Sequence, residues 1–209
     1  MKRYLFLLLI LKFNTGNCQA TGSDSGYTTE PKSMFEISVN GKKYFVAEND
    51  EIFIDSLSKT KIMVKQAEHK KFVNAAYSFE YPKNLSFEYS EEPALKTWTL
   101  SGNSITLLMF EMSAKGPLDA IINSMVQKFG SDNCVVKDFV RTLGNKGCTG
   151  KTLKVTLVGQ TLIYDCYTIA TKLNGSSFLF IQDSLGDDMK HSTEYDAFIS
   201  LINSTIKYK

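Results

Sequence analysis

The chain has 209 residues, an ordinary globular composition and a formal net charge of +2. This near-neutral balance excludes a basic protein that attracts nucleic acid or an anionic membrane surface through its overall charge. The length left after a short N-terminal leader fits one domain with one substantial core.

The N-terminus has the pattern of a secretory signal over residues 1–20. Lys2 and Arg3 form its positive end, Tyr4–Leu11 its apolar run, and Cys18–Ala20 a cleavage site of small-residue type. The apolar run is too short to cross a bilayer, which takes about 20 residues. We therefore predict an exported protein that is periplasmic, anchored to the outer membrane or extracellular.

Cys18 offers an alternative to simple cleavage, because it could become the lipid-bearing first residue of a lipoprotein. Residues 21–33, rich in Gly, Ser, Thr and charge, would then serve as a flexible lead-in. Removal of residues 1–20 takes three positive charges from the formal +2 and leaves −1. Scarce arginine and abundant lysine favour an A/T-rich bacterial genome.

Three further cysteines follow, Cys134, Cys148 and Cys166. Export permits disulfides without requiring them. An odd number means that at least one thiol is free or pairs between chains. Alternation along its own strand run places Cys166 on the core face, where free cysteine is common.

The first third of the chain favours strands. Phe35–Val39 and Lys42–Ala47 flank Asn40-Gly41, the strongest short hairpin signal. Glu51–Leu57 and Lys61–Ala67 are further strand candidates, but the topology of residues 35–75 stays open. We assign residues 34–209 to one domain.

Aromatic and polar residues alternate in the next two runs, Tyr77–Pro82 and Ser86–Tyr89, which read as two short strands joined by a proline turn. Lys96–Leu100 and Ser104–Met112 then predict a hairpin on Gly102-Asn103, with glycine first as a type II′ turn prefers.

Two amphipathic helices are predicted, over residues 117–129 and 193–206. Pro117 suits the first position of the first helix and Gly130 ends it. Each helix has one apolar stripe, so each should lie on a sheet. The fold class is therefore α+β, an antiparallel sheet with two helices packed on it.

Three alternating runs between Lys151 and Asp183 predict a meander closed by turns at Gly159-Gln160 and Asn174-Gly175. Two-residue loops give the following opposed pairs: Leu153 with Cys166, Val155 with Tyr164, Leu157 with Leu162, Ala170 with Leu179, and Thr168 with Ile181. These residues share one apolar face. The other face is mixed, with Lys154 opposite Asp165 as an ion pair beside Thr156, Tyr167 and Gln182.

Motifs for chemistry are weak. Gly144–Thr152 resembles a phosphate-binding loop, but the spacing is one residue too long and a strand pattern follows, which favours a hairpin loop. His69 and His191 lack partners at metal-ligand spacing, and Asp183, Asp187 and Asp188 do not match a calcium loop. We predict no metal, no cofactor and no catalytic residue.

Aromatic side chains are the remaining binding candidates, and we single out Trp98, Tyr89 and Tyr167. The alternative, that most aromatic residues between Tyr77 and Trp98 belong to the core, is favoured about two to one.

The order of elements resembles the PsbP-like and DcrB-like domains over about residues 75–207. The matching pieces are Tyr77–Pro82, Ser104–Met112, and the pairing of Ser176–Ser184 with the final helix. The resemblance implies an antiparallel sheet between helices, and an exported protein or lipoprotein that is typically non-catalytic and acts in assembly or binding.

The sequence thus predicts an exported, non-catalytic cell-envelope protein that binds a partner protein or a small ligand. Two alternatives stay open: a hydrolase whose site combines distant residues such as Cys148 and a histidine, and a carrier of an apolar ligand. The partner and the oligomeric state are not predicted.

Overall fold

A computed structural model describes residues 28–52, 62–169 and 175–209 of the chain. Two α-helices lie in these ranges, α1 at Leu118–Phe129 and α2 at Thr193–Thr205, with one 3₁₀ turn at Ser131–Asn133. The strands are β1 Met34–Val39, β2 Lys42–Ala47, β3 Ile62–Gln66, β4 His69–Val73, β5 Tyr77–Pro82, β6 Ser86–Glu92, β7 Leu95–Ser101, β8 Ile105–Met112, β9 Cys134–Leu143, β10 Lys146–Leu157, β11 Gln160–Ile169, β12 Ser176–Ser184 and β13 Lys207–Tyr208.

The strands of the described ranges form three sheets. The largest has seven strands in the order β6-β7-β8-β12-β11-β10-β9, and every neighbouring pair is antiparallel. Two three-stranded sheets have the orders β2-β1-β3 and β13-β5-β4. The predicted α+β class with antiparallel strands is confirmed, whereas the finer PsbP-like arrangement stays a prediction.

Each face of the seven-stranded sheet has its own apolar core. On one face, α1 covers Phe110, Phe178 and Phe180 together with the first half of the meander. On the other face, α2 and the β4–β5 strands cover Trp98, Leu107, Leu179 and Ile181. The prediction of one dry and one mixed face is therefore wrong for the meander, because a helix packs on each side of the sheet.

The β10–β11 turn falls one residue earlier than predicted, at Val158-Gly159. Both residues have positive φ, 48° and 80°, as a type I′ turn requires. Leu153 then lies opposite Tyr164 and Val155 opposite Leu162, a shift of two residues from the predicted register. An even shift keeps every side chain on its face, so Leu153, Val155, Tyr164 and Cys166 still share one core.

The same shift removes the predicted pair of Lys154 with Asp165. Lys154 lies opposite Ile163, and Asp165 lies opposite Thr152. The carboxylate is also not on a solvated face, because Asp165 is 1% exposed.

The β11–β12 register differs by an odd number of residues, and this changes the faces. Tyr167 lies opposite Leu179 and Thr168 opposite Phe178, whereas the predicted partner of Thr168 was Ile181 and that of Leu179 was Ala170. Leu179 and Ile181 therefore lie on the α2 face, away from Val155 and Tyr164. β12 is apolar on both faces, so its alternation could not fix the register. The predicted turn residue Asn174 lies outside the described residues.

Several other elements match their predictions. β1 and β2 pair around Asn40-Gly41, whose positive φ angles of 50° and 82° fit a type I′ turn. The hairpin of β7 and β8 forms, but its turn is longer than the predicted two residues Gly102-Asn103, since the backbone N–H of Gly102 donates to the carbonyl of Ile105. β5 and β6 are both strands but belong to different sheets, and the candidate Glu51–Leu57 lies largely outside the described residues.

Both helices are confirmed within one residue of their predicted bounds. α1 buries Ile121, Ile122, Met125 and Phe129, and α2 buries Tyr195, Phe198 and Ile202. Ser192 caps α2, because its hydroxyl accepts the backbone N–H of Tyr195 at 3.1 Å. α1 has no side-chain cap, and Pro117 precedes its first residue.

Gly150 allows two aromatic rings to meet over the α2 face. It lies between Phe139 on β9 and Tyr167 on β11, whose ring centroids are 5.0 Å apart. A Cβ at this position would lie 2.5 Å from the Phe139 ring and 2.3 Å from the carbonyl oxygen of Cys166. The glycine is thus required by close packing rather than by an unusual φ.

We predict that Gly150→Ala lowers the free energy of unfolding by about 1–3 kcal/mol, because the methyl group overpacks this contact. Gly147→Ala is the matched control in the same strand, since a Cβ there meets no atom within 4 Å. Urea unfolding of both variants measures the difference. Equal losses in the two variants would contradict the packing role of Gly150.

Candidate functional site

A buried carboxylate lies at the centre of the α2 face. Asp165 on β11 is 1% exposed and accepts three hydrogen bonds of 2.6 Å, from Arg141 Nη1, Thr152 Oγ1 and the hydroxyl of Tyr195. The donors come from β9, β10 and α2. Burying an unpaired carboxylate costs several kcal/mol, and this set of three donors offsets that cost.

A second buried carboxylate, Asp183 on β12, is fully buried and lies on the same face. Its Oδ2 is 2.9 Å from His191 Nδ1 and accepts the backbone N–H of Ser192, and its Oδ1 accepts the Ser192 hydroxyl at 2.7 Å. Ser192 also caps α2. Asp183 therefore fixes the start of this helix against the sheet.

Tyr195 connects the two carboxylates. Its ring stacks on that of His191 with centroids 3.9 Å apart, while its hydroxyl reaches Asp165. Burial raises the pKa of Tyr195, and the charge of Asp165 raises it further. Burial favours the neutral form of Arg141 and lowers its pKa. The neighbouring Asp165 carboxylate raises the pKa by more, so the pKa of Arg141 is raised overall. We call Asp165, Arg141, Thr152, Tyr195, His191, Asp183 and Ser192 the α2-face network.

The α2-face network contains the residue types of a hydrolase but not their arrangement. A catalytic serine donates to histidine, and the histidine in turn contacts the carboxylate. Here Ser192 Oγ donates to Asp183 itself, and His191 Nδ1 contacts the same carboxylate. The Ser192 hydroxyl also accepts the backbone N–H of Tyr195 as the cap of α2. These side chains therefore hold the start of α2 against the sheet.

The cysteines do not form the distant site that the hydrolase alternative needs. Cys134, Cys148 and Cys166 are all free thiols. The Cys148 sulfur is 3.6 Å from the Tyr208 hydroxyl and hydrogen-bonds to no histidine among the described residues. Cys166 is buried as predicted, and burial raises the pKa of its thiol well above the ordinary value.

The Gly144–Thr152 segment belongs to a hairpin, as the sequence favoured, but its loop is shorter than predicted because β10 already begins at Lys146. Gly144-Asn145 forms the turn between β9 and β10, with Gly144 at a φ of 63°, and a strand rather than a helix follows. Among the described residues, no group of three or more His, Cys, Asp or Glu side chains is arranged to hold a metal ion.

The three aromatic candidates lie at different depths. Trp98 is fully buried and Tyr167 is 3% exposed, so both belong to the α2-face core. Tyr89 is half-buried, and burial together with the Glu91 carboxylate raises its pKa to about 12. Tyr77, Phe79 and Tyr81 are core residues, as the favoured interpretation predicted.

The edge strand β9 is a feature that the sequence analysis missed. It is ten residues long, ends the seven-stranded sheet and, among the described strands, pairs with β10 alone. At its start the N–H of Cys134 donates to the carbonyl of Ser131, and the other backbone groups on its outer side have no backbone partner among the described residues. Val135, Val136 and Val140 are 52%, 40% and 78% exposed, an unusual set of apolar side chains at a sheet edge. A signal was present in the valine-rich run itself, whose composition favours a strand but does not indicate the place of that strand in the sheet.

An open cleft of about 470 Å³ adjoins β9 on the α1 face. Leu118, Phe139 and Val140 supply apolar surface, and Asp138, Thr149, Lys151 and Thr168 supply polar groups. Lys151 pairs with Asp138 and, at 3.0 Å, with Asp119 of α1. Lys151 is therefore already paired within the chain, and with its two carboxylates it forms a group of formal charge −1.

Comparison with known proteins finds a distant structural similarity and no family for the chain. No protein-family model matches the chain, and no curated protein is similar to it. The chain is similar to the solved structure of LpqN from Mycobacterium tuberculosis, described as involved in cell envelope biogenesis, with a TM-score of 0.37 and 10% identity over 68% of this chain and 86% of LpqN. A similarity this low supports no argument about function.

Neither helix in the described ranges has the length and apolar character that a bilayer crossing requires. The signal segment, the lipidation candidate Cys18 and the lead-in up to residue 27 lie outside the described residues, so these assignments and the single-domain assignment stay predictions.

We predict that Tyr195→Phe lowers the free energy of unfolding by about 1.5–3 kcal/mol, because the buried Asp165 loses a hydrogen bond to a charged group. Tyr89→Phe is the matched control, since its hydroxyl bonds to Glu91 at the surface and its loss should cost no more than about 0.5 kcal/mol. Chemical denaturation measures both. A cost for Tyr195→Phe no larger than that of the control would show that the network contributes little.

Glu111 on β8 provides a pH-dependent test. Burial raises the pKa of its carboxyl, although the backbone N–H of Ala75 donates to it at 3.1 Å and opposes the shift. A raised pKa means that the stabilising contribution is complete below the unfolded value of about 4.3 and is lost as pH rises through the folded value. Glu111→Gln cannot ionise, so we predict that the variant gains stability relative to the wild type between about pH 4 and pH 7. A difference that does not change with pH in denaturation experiments would refute this.

Proposed function

We propose that this chain is an exported, non-catalytic protein of the cell envelope that binds a partner protein by strand addition along β9. The observation that carries the proposal is the outer edge of a ten-residue strand, which pairs with no further strand in the described ranges and carries three exposed valines. Strand addition supplies affinity through backbone hydrogen bonds and specificity through alternate side chains.

The edge is firmly held, as a binding strand should be. Arg141 bonds to the buried Asp165, the Phe139 ring packs on Tyr167, and Asp138 pairs with Lys151. These contacts fix the backbone of β9 before a partner arrives, which lowers the conformational entropy lost on binding.

The proposed absence of catalysis is supported by how the reactive side chains are used. Asp165 and Asp183 are each bonded to three donors or partners within the chain. Cys148 and Cys166 are buried. A catalytic base needs an open position facing substrate, and these groups have structural partners instead.

A small apolar ligand is a second candidate, favoured by the cleft of about 470 Å³ beside Leu118 and Val140. This volume falls in the range of small-molecule sites. Native mass spectrometry of the purified chain would support the candidate by showing a retained mass and would count against it by showing only the bare polypeptide.

The partner proposal predicts contact at one defined edge. A photo-crosslinking amino acid at position 140, introduced in the cells that produce the protein, should give a discrete crosslinked band in the envelope fraction. The same amino acid at position 158 is the matched control, because Val158 is fully exposed at the tip of the β10–β11 hairpin. No band from position 140, or equal bands from both positions, would reject the β9 edge as the docking surface.

A further inference from the structure

The closing turn of the β9–β10 hairpin determines which backbone groups face outward. Gly144-Asn145 is a two-residue turn, so the flanking pair, Leu143 and Lys146, exchanges both backbone hydrogen bonds. The register is continuous from there to Cys134 opposite Val155. Hydrogen-bonded pairs alternate along an antiparallel ladder, so the odd-numbered residues of β9 bond to β10. The outward N–H and C=O groups belong to Cys134, Val136, Asp138, Val140 and Thr142, and of these the N–H of Cys134 is already bonded to the carbonyl of Ser131.

Asp138 is the middle residue of this outward set, and the strand is self-complementary around it. If two β9 strands pair antiparallel with Asp138 opposite its own copy, each Val136 meets a Val140 across the interface. The flanking positions bring Lys137 against the Phe139 ring, a favourable cation–aromatic contact. The same residues therefore serve both partners, as a two-fold interface requires.

The negative charge at the centre of this pairing is partly offset within each chain. Two copies of Asp138 would meet, but each pairs with Lys151 of its own chain, which lies on the neighbouring strand and also pairs with Asp119. The other edge of the sheet contrasts with this. β6 carries Glu88, Glu91 and Glu92, and Lys96 of the neighbouring strand pairs with Glu91 at 4.0 Å. Glu88 and Glu92 add two further negative charges, so pairing two β6 strands would bring more like charge together than pairing two β9 strands.

We propose that the partner at the β9 edge is a second copy of this chain, paired antiparallel β9 to β9 with Asp138 at the two-fold axis. The proposal rests on the strand-addition function given above and names its partner. The pairing joins two seven-stranded sheets into one continuous sheet. It also brings the two α1-face clefts together beside the axis, since Asp138 and Val140 line both the cleft and the interface.

The first test is the mass of the purified chain in solution. Light scattering over a concentration series should show a monomer–dimer equilibrium for the wild type. Val140→Lys should raise the dimer dissociation constant at least about tenfold, because the interface would bury an ammonium group against Val136 of the other copy. Val158→Lys, the same change at the hairpin tip, should leave the constant unchanged. Thermal unfolding of both variants checks that each is folded.

The second test fixes the register. In a Cys134→Ala background, Asp138→Cys should form a disulfide-linked dimer faster than Lys137→Cys or Phe139→Cys, because only position 138 faces itself. A wild type that is monomeric at every concentration overturns self-pairing, as does a dimer that Val140→Lys leaves intact. If position 140 still crosslinks to a different protein, the strand-addition function survives and only its assigned partner is wrong. If position 140 crosslinks to nothing, both proposals fail.

Discussion

The structure depends on a negative charge placed inside an apolar core. Asp165 lies in the middle of the seven-stranded sheet with 1% of its surface exposed, and a carboxylate in that position is tolerated only with a complete set of donors. Arg141, Thr152 and Tyr195 provide them from three different elements. A slip of β9 by one residue would remove Arg141, a slip of β10 would remove Thr152, and a rotation of α2 would remove Tyr195, so each would leave the buried carboxylate with an incomplete set of donors. The carboxylate therefore selects one alignment among several that hydrophobic burial alone would allow.

This selection matters because the hydrophobic pattern is ambiguous where it is needed most. β12 is apolar on both faces, with Phe178 and Phe180 toward α1 and Leu179 and Ile181 toward α2. A strand of this kind can shift by one residue with little loss of apolar burial. Asp183 removes the ambiguity at one end, since its carboxylate must meet Ser192 and His191 at the start of α2. The two buried acids thus fix the register of the strands and the position of α2.

The sequence predicted the features that are encoded locally. The apolar stripes of α1 and α2 repeat at helical spacing, and Asn40-Gly41 has the turn chemistry of a hairpin, so these elements follow from a few neighbouring residues. The role of Asp165 could not be predicted in this way, because Arg141 and Tyr195 are 24 and 30 residues away in the chain. Alternation placed Asp165 on the mixed face opposite Lys154, where an exposed ion pair was the simplest interpretation. The β9 edge was missed for a related reason: strand position in a sheet depends on topology, which local pattern does not contain.

The network and the edge strand are physically connected through β9. The odd-numbered residues of β9 direct their backbone N–H and C=O groups toward β10. Two of these residues also anchor the strand through their side chains, since Phe139 packs on Tyr167 and Arg141 bonds to Asp165. Its even-numbered residues direct their backbone groups outward. An edge strand left to itself frays, and a frayed strand must be ordered again when a partner binds. Because the buried carboxylate holds β9 through Arg141, the outer backbone groups are presented in a fixed extended conformation. The same charge that specifies the fold therefore also prepares the edge for pairing, and a buried network with no catalytic geometry still bears on function.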